Sequence, residues 1–135
     1  MVQVSLRHMA SAKILIVDDD QDIRRLLGIR LRTAGYEPVF AGDAISAVNQ
    51  ARKERPDLIL LDLSLPAGDG YLVMERLKVM PALEGIPVIV VSARDPQTEE
   101  ERFAHSGADA FFRKPFEYED LLAAIAGALG AEPAA

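Results

Sequence analysis

The sequence has no cysteine or tryptophan, and aromatic residues make up only 6% of its 135 residues. Without cysteine it can form neither disulfides nor thiolate metal sites, which fits a reducing compartment. No apolar run approaches the roughly 20 residues that a membrane-spanning helix requires. Positive charge is also in deficit, because 15 Lys and Arg face 21 Asp and Glu, for a net charge of −6. These absences predict a cytoplasmic protein that neither spans a membrane nor binds nucleic acid through phosphate contacts.

The remaining composition indicates one folded domain. Apolar residues make up 50% of the chain and charged residues 27%, as in ordinary globular proteins. The first eleven residues, "MVQVSLRHMAS", show no structural pattern, and "HMAS" resembles a cloning scar. We therefore expect residues 1–11 to be an expression-vector leader, 12–130 to be the domain, and 131–135 to be a tail or the start of a linker.

Short apolar runs alternate along the chain with segments of helical period. The runs cover residues 14–17, 37–41, 58–61, 88–91 and 110–112. Apolar positions spaced three and four residues apart mark the helices between them, including Ile23, Leu26, Leu27 and Leu31 in the first and Leu72, Val73, Leu77 and Met80 in the third. Runs that are apolar throughout predict strands buried on both faces. The fold class is therefore α/β, a doubly wound five-stranded parallel sheet flanked by five helices.

Polar side chains follow four of these five strands. They are Asp18, Asp19 and Asp20 after the first, Asp62 after the third, Ser92 after the fourth, and Lys114 after the fifth. Each alone has a plainer explanation, since an aspartate before a helix is commonly an N-cap, as we expect for Asp20. The functional crevice of a doubly wound sheet, however, lies at the carboxyl ends of its strands. Because all of these polar side chains lie at that edge, we expect a functional site there.

This set of side chains suits phosphoryl transfer. Closely spaced carboxylates attract Mg²⁺, which binds one or two carboxylates and keeps positions for waters and phosphate oxygens. A carboxylate can also attack phosphorus and form an aspartyl phosphate. A metal ion, an ammonium group and a hydroxyl group would neutralise the phosphoryl oxygens. The residues predict phosphoryl transfer onto an aspartate with Mg²⁺ as cofactor.

Residues 13–129 resemble the receiver domain of two-component response regulators. The resemblance rests on "VDDD", "DLSLPAGDG", "VSA" and "KPF", which follow the first, third, fourth and fifth strands. It implies a flavodoxin-like sheet in the order 2-1-3-4-5. It also implies a phosphorylation-activated signalling switch, not an enzyme with separate substrate turnover. The implied phosphodonor is a phosphohistidine of a sensor histidine kinase or a histidine phosphotransfer protein, and the output domain or downstream partner stays open.

The resemblance assigns roles to the acidic residues. Asp62 is the implied phosphoacceptor and also contacts the metal. Asp18 and Asp19 form the acidic pair, with Asp19 as the more direct Mg²⁺ ligand, and the backbone carbonyl of Ser64 would complete the metal site. The dipeptide Asp69-Gly70 would shape the loop after the phosphoacceptor.

The resemblance also assigns a switch. Ser92 matches the switch hydroxyl, Phe111 the aromatic switch position, and Lys114 the lysine that faces the phosphoryl group. The bond before Pro115 is typically cis in the family. A phosphoryl group on the acceptor would draw Ser92 and Lys114 inward and make room for Phe111, which would alter the surface of the fourth helix, fifth strand and fifth helix.

Some positions depart from common subfamilies. Winged-helix regulators carry an acidic residue and an arginine that pair across a dimer, where this chain has Ala110 and Ala124. We therefore expect a monomer or a weak dimer. Ser64 and Arg94 occupy positions that influence phosphoryl lifetime in the family. The arginines of the first helix lie where relatives dock the phosphodonor, although a solvated helix face explains them equally well. We expect the acidic residues of the fourth helix to be solvated, namely Glu99, Glu100 and Glu101.

Two other functional classes fit the residues less well. A phosphohydrolase with an aspartyl-phosphate intermediate usually carries a second aspartate two residues after the nucleophile, where Ser64 stands. A flavin- or nucleotide-binding module would need a Gly- or Ser/Thr-rich phosphate loop after the first strand. Three aspartates at that place would repel an anionic cofactor.

Overall fold

Five apolar segments form one parallel sheet. In the computed structural model, which describes residues 11–130, the strands are β1 (Lys13–Val17), β2 (Glu37–Ala41), β3 (Leu58–Leu61), β4 (Val88–Ser92) and β5 (Ala110–Arg113). Their order is β2-β1-β3-β4-β5, and every neighbouring pair is parallel. The predicted strands are confirmed to within one residue at each end, and so is the predicted order.

Helices connect the strands and cover both faces of the sheet. They are α1 (Gln21–Thr33), α2 (Ala44–Glu54), α3 (Gly70–Lys78), α4 (Glu100–Ser106) and α5 (Tyr118–Ala128). Met80 was predicted within the third helix, but α3 ends at Lys78 and a short 3₁₀ turn begins at Pro81. The proline ring disfavours helical geometry in the residue before it, and Met80 accordingly has extended dihedral angles.

Alternate residues of the central strands point into two apolar layers. One layer joins the sheet to α2 and α3 through Leu15, Val17, Ile59, Leu61, Val88 and Val90. The other joins it to α1 and α5 through Ile14, Ile16, Leu58, Leu60, Ile89 and Val91. Burial of each such Leu, Ile or Val stabilises the fold by about 1.5–3 kcal/mol. The prediction of strands buried on both faces is right for β1, β3 and β4, whereas the edge strands β2 and β5 are only partly buried.

The apolar stripe of α1 is narrower than predicted. Ile23, Leu27 and Leu31 pack against the sheet layer, because residues four apart lie on one helix face. Leu26, predicted on this face, is 55% exposed, and Ile29 has the same exposure. The helix therefore presents two large apolar side chains to solvent.

Aspartates cap the first three helices. Asp20 accepts hydrogen bonds from the backbone N–H groups of Asp22 and Ile23, as expected for an N-cap. Asp43 caps α2 and Asp69 caps α3 in the same way. Helices α4 and α5 have no side-chain cap.

The strand register sets the carboxyl edge of the sheet. Val17, the last residue of β1, pairs with Ala41 in β2 and with Leu61 in β3. The residues that follow β1 and β3 therefore start at the same level on neighbouring strands. This register brings the segments after Val17 and Leu61 together.

The predicted domain boundaries stay predictions. The leader expected over residues 1–11 lies outside the described residues except for Ser11, and the tail expected over 131–135 lies wholly outside them. Among residues 11–130, no helix combines the length and hydrophobicity needed to cross a bilayer.

Candidate functional site

Three carboxylates meet at the carboxyl edge of the sheet. Asp18 and Asp19 follow β1 and Asp62 follows β3, and one oxygen from each lies within 4.8 Å of the others. Asp18 and Asp62 are 3% and 6% exposed, whereas Asp19 is exposed. Unpaired carboxylates this close and this buried repel one another and lose hydration. The cluster therefore requires positive charge.

Lys114 supplies part of that charge. Its Nζ donates to Asp18 Oδ2 at 2.6 Å and to Asp62 Oδ2 at 3.3 Å. Its backbone N–H donates to the carbonyl of Ser92 at 2.8 Å, and the peptide bond to Pro115 is cis, as the resemblance implies. One ammonium group facing three carboxylates leaves the cluster with net negative charge.

The electrostatics of the site reflect burial opposed by pairing. Burial raises the pKa of the Asp18 carboxyl above its ordinary value, and the hydrogen bond from Lys114 opposes this rise without cancelling it. Burial also lowers the pKa of Lys114, but its bond to Asp18 and the nearby Asp62 charge outweigh that effect and raise the pKa overall. Lys114 is therefore cationic at neutral pH, and Asp18 remains incompletely compensated.

This donor set fits a hard divalent cation. Mg²⁺ prefers oxygen ligands and needs only one or two carboxylates, and the three oxygens lie close enough to share one ion. Backbone donors orient the buried pair, because Asp20 N–H donates to Asp18 Oδ1 at 2.9 Å and Ser64 N–H donates to Asp62 Oδ1 at 3.1 Å. The Ser64 carbonyl as a further metal ligand stays a prediction.

Gly70 allows α3 to begin directly against the loop after β3. A Cβ atom at this position would lie 2.5 Å from the carbonyl oxygen of Asp62 and 3.0 Å from the Cα of Leu63. The Gly70 N–H donates to the Leu63 carbonyl at 2.9 Å, while Asp69 caps the helix. The predicted effect of Asp69-Gly70 on this loop thus has a steric basis.

Ser92 and Phe111 lie on one face of the sheet. The register pairs Val90 with Phe111 and Ser92 with Arg113, and alternate residues of a strand share a face. Ser92 is fully buried, and its Oγ accepts from the Arg94 N–H at 3.3 Å. The half-buried ring of Phe111 packs edge-on against Phe103 of α4, with centroids 5.7 Å apart. The two predicted switch residues therefore both face the α4 side.

Arg94 connects three segments around the site, which the sequence did not predict. Its Nε donates to Ser64 Oγ at 3.0 Å and its Nη2 to the Leu63 carbonyl at 3.3 Å. Its Nη1 donates to Glu99 Oε1 at 2.9 Å. Glu99 was expected to be a solvated residue of the fourth helix, but it precedes α4 and its side chain is 12% exposed. The resemblance placed Arg94 at a position that influences phosphoryl lifetime, but nothing in the sequence indicated which residues it binds.

The basic face predicted for α1 is partly engaged within the chain. Arg24 donates to the backbone carbonyl of Asp18 at 2.6 Å, and the Arg30 guanidinium lies 4.8 Å from the centre of the Tyr118 ring. A groove of about 490 Å³ opens between α1 and the β5–α5 segment, and Leu26, Arg30 and Lys114 are among the residues that line it. A groove bordered by apolar surface therefore adjoins the site lysine.

Sequence comparison identifies relatives of the chain. Residues 14–126 match the profile of the response regulator receiver domain. The phosphate regulon transcriptional regulatory protein PhoB of Escherichia coli is 40% identical over 113 residues, which are 84% of this chain and 49% of that protein. The DNA-binding dual master transcriptional regulator RpaA of Synechocystis is also 40% identical over 113 residues, 84% of this chain and 47% of that protein. The chain thus spans about half the length of these curated relatives.

Solved structures share the fold. The receiver domain of the sensor histidine kinase PA1611 from Pseudomonas aeruginosa, solved with a magnesium ion coordinated in its active-site cleft, superposes with a TM-score of 0.82 at 28% identity, covering 90% of this chain and 99% of that one. The chemotaxis protein CheY4 of Vibrio cholerae gives 0.81 at 28% identity, covering 87% and 98%. Because the profile match spans all five strands and the motifs at their carboxyl ends, the chain belongs to the response regulator receiver domain family of two-component signalling.

Proposed function

We propose that Asp62 accepts a phosphoryl group from a phosphohistidine and that this modification switches the domain between two states. The observation that supports this proposal is the carboxylate cluster. In it, the buried Asp62 carboxylate lies 3.3 Å from Lys114 Nζ and within 4.8 Å of oxygens from Asp18 and Asp19. The family acts as signalling switches. Ser64, where a phosphohydrolase would carry its second aspartate, instead bonds to Arg94 through its hydroxyl.

The transfer uses the Asp62 carboxylate as the nucleophile. One of its oxygens attacks phosphorus, the P–N bond of the phosphohistidine breaks, and the imidazole leaves with the electron pair of that bond. Lys114 supports the reaction by placing positive charge near the phosphoryl oxygens. Mg²⁺ held by Asp18, Asp19, Asp62 and the Ser64 carbonyl would supply further neutralisation of those oxygens. Attack by water on the phosphorus of the acyl phosphate later breaks its bond to the Asp62 oxygen, releases inorganic phosphate and returns Asp62 to its carboxylate.

The switch follows from the added charge. Phosphorylation of Asp62 adds about one negative charge and new acceptor oxygens, which attract the Ser92 hydroxyl and the Lys114 ammonium. Inward movement of Ser92 leaves space on the face that Phe111 shares, beside its contact with Phe103. The expected result is a population shift on the surface formed by α4, β5 and α5.

The phosphodonor docks beside α1 in this proposal. The groove between α1 and the β5–α5 segment includes Lys114 in its lining, and Leu26 and Ile29 present apolar side chains, each 55% exposed, on the same helix. A sensor histidine kinase or a histidine phosphotransfer protein can thus bury apolar surface next to the acceptor. The cytoplasmic location, the weak or absent dimerisation and the identity of the output partner stay predictions.

The test is phosphorylation by acetyl phosphate in Mg²⁺, read by intact mass. We expect the wild-type chain to gain one phosphoryl group, and Asp62→Asn or removal of Mg²⁺ by chelation to abolish the gain. Asp43→Asn is the matched control, because Asp43 follows β2 at the same sheet edge but lies outside the cluster. An added mass that persists in Asp62→Asn, or no added mass in the wild-type chain, contradicts the proposal.

A further inference from the structure

Arg94 joins the loop that carries the proposed phosphoacceptor to the start of α4. Two of its donors bind Leu63 and Ser64, the two residues directly after Asp62. A third binds the carboxylate of Glu99, the residue before α4. The guanidinium group therefore lies at the rim of the site while its ion pair restrains a different element.

The first turn of α4 has few other restraints. The helix has only seven residues and no side-chain cap. Besides the Arg94 to Glu99 pair, Arg102 binds Asp69 at 3.3 Å and stacks 4.1 Å from the centre of the Tyr71 ring. The Arg102 side chain is 56% exposed, whereas Glu99 is 12% exposed. Since exposed ion pairs contribute little, the partly buried Arg94 to Glu99 pair is the stronger restraint of the two.

We propose that Arg94 senses the phosphoryl group by exchanging Glu99 for phosphoryl oxygens and thereby releases the first turn of α4. The inference rests on the proposed function, because it requires phosphorylation of Asp62. An acyl phosphate carries more charge than a glutamate and offers three oxygens to a planar guanidinium fork. It lies beside the two residues that Arg94 already contacts. The phosphoryl group is thus the better partner.

The exchange leaves Glu99 without its cation. A carboxylate that is 12% exposed and unpaired is unfavourable, so the chain lowers its free energy by moving Glu99 into water. The hydroxyl of Tyr71, which has no hydrogen-bond partner among the described residues, lies buried in this neighbourhood. The Glu99 charge contributes to a raised pKa of Tyr71, second to burial. Outward movement of Glu99 therefore also relieves a crowded polar cluster.

This change of the Arg94 partner from Glu99 to the phosphoryl group, which we call the Arg94 relay, is distinct from the Ser92 and Phe111 switch. It acts on the amino-terminal end of α4 through charge, whereas Phe111 contacts α4 through the Phe103 ring. Phosphorylation would accordingly loosen α4 at two places.

The experiment measures beryllofluoride binding in Mg²⁺ by calorimetric titration and hydrogen exchange of the α4 amides. We expect Arg94→Gln to weaken beryllofluoride binding about tenfold, since it removes a charge-assisted contact. We expect Glu99→Gln to strengthen binding about threefold, because Arg94 is then freed from a competing partner. In the double variant the Glu99→Gln effect on affinity should vanish.

Hydrogen exchange of the α4 amides distinguishes the proposed change of the Arg94 partner from a general loosening of α4. Unliganded Glu99→Gln should show α4 amide exchange close to that of the beryllofluoride-bound wild-type chain. Arg102→Gln is the matched control, because it removes the other ion pair of α4, whereas the hydrogen bonds to Leu63 and Ser64 come from Arg94. It should speed α4 exchange while leaving the affinity for beryllofluoride unchanged.

The outcomes distinguish the two proposals. If the wild-type chain binds beryllofluoride but Glu99→Gln leaves its affinity unchanged, or strengthens it equally without Arg94, the relay is wrong and the phosphoacceptor assignment stands. If the wild-type chain binds no beryllofluoride, or Asp62→Asn binds it equally well, the proposed function fails and the relay with it.

Discussion

Two regions of the domain differ in how firmly they are held. The seat region, formed by β1, β3 and α1 to α3, has strands that are apolar and buried except for Lys13, and three helices capped by aspartates. The edge region, formed by β5 and α4, has half-buried strand residues and a short helix without a side-chain cap. The seat region positions the three carboxylates, while ion pairs, the contact between Phe103 and Phe111 and the stacking of Arg102 on Tyr71 hold α4 in place. A signal needs both, because fixed charges select the phosphoryl group and weakly held elements respond to it.

The largest expected contrast is in packing. Leu60→Ala in β3, where the side chain is 1% exposed, should lower the free energy of unfolding by about 3 kcal/mol. Phe103→Ala in α4 removes a half-buried ring with one recorded aromatic partner, so we expect a loss of only about 1 kcal/mol. Urea denaturation of both variants measures the difference. Equal losses would mean that α4 is packed as firmly as the central strands.

A smaller effect is expected from the caps of the seat region. Asp43 accepts from the Ser46 N–H at 2.7 Å and lies outside the carboxylate cluster. Asp43→Ala should lower the free energy of unfolding by about 1 kcal/mol, and Asp43→Asn by a few tenths at most, since asparagine caps equally well. Urea denaturation of both variants checks this. A similar loss in the two variants would show that charge, and not the cap, is what stabilises α2.

The smallest effect at neutral pH is expected from two tyrosines whose hydroxyl groups are buried. The hydroxyls of Tyr71, beside α4, and Tyr118, in α5, have no hydrogen-bond partner among the described residues. Burial raises the pKa of both phenols, and nearby arginines only partly oppose it. Replacing either by Phe should therefore change stability at pH 7 by less than about 0.5 kcal/mol.

At alkaline pH the two tyrosines should matter more. A raised folded-state pKa means that the protonated phenol is favoured in the fold. The contribution of the protonated phenol to the free energy of unfolding is complete below the ordinary tyrosine pKa of about 10. It is lost as the pH rises through the folded-state pKa. Unfolding free energies from pH 7 to 11 should fall less steeply in Tyr71→Phe and Tyr118→Phe than in the wild-type chain. An unchanged slope in both would show that the phenols ionise without cost. Lys114, whose pKa is also raised, would still contribute a decline in that range.

The fold was predictable where a local pattern carries the information. Strands that are apolar throughout are buried on two faces, and helices of regular period are buried on one. The number and type of the elements and their succession along the chain therefore followed from local patterns, whereas the strand order in the sheet came from the family resemblance. The prediction failed at Leu26, because neighbouring elements decide its exposure. It also failed at Met80, because Pro81 ends the helix early. A periodic pattern defines a face only to within one residue position.

The members of the carboxylate cluster and Lys114 were predictable, but the contacts made by Arg94 were not. Asp18, Asp19 and Asp62 follow strands that a parallel sheet must align, so their approach could be expected. The contacts of Arg94 with Ser64 and Glu99 join segments up to 30 residues apart, and no local signal specifies which carboxylate an arginine will meet. The prediction that Glu99 is solvated was wrong for this reason.

By itself, the sequence determined the alternation of strands and helices and the edge to which the polar residues belong. Hydrophobic period and chain direction are local properties, and parallel connections leave few arrangements open. Only the tertiary structure decided that Lys114 lies between Asp18 and Asp62 and that Arg94 binds Glu99 beside the phosphoacceptor loop. Such contacts depend on register and packing across the whole sheet, where shifts of an ångström separate an ion pair from two solvated charges.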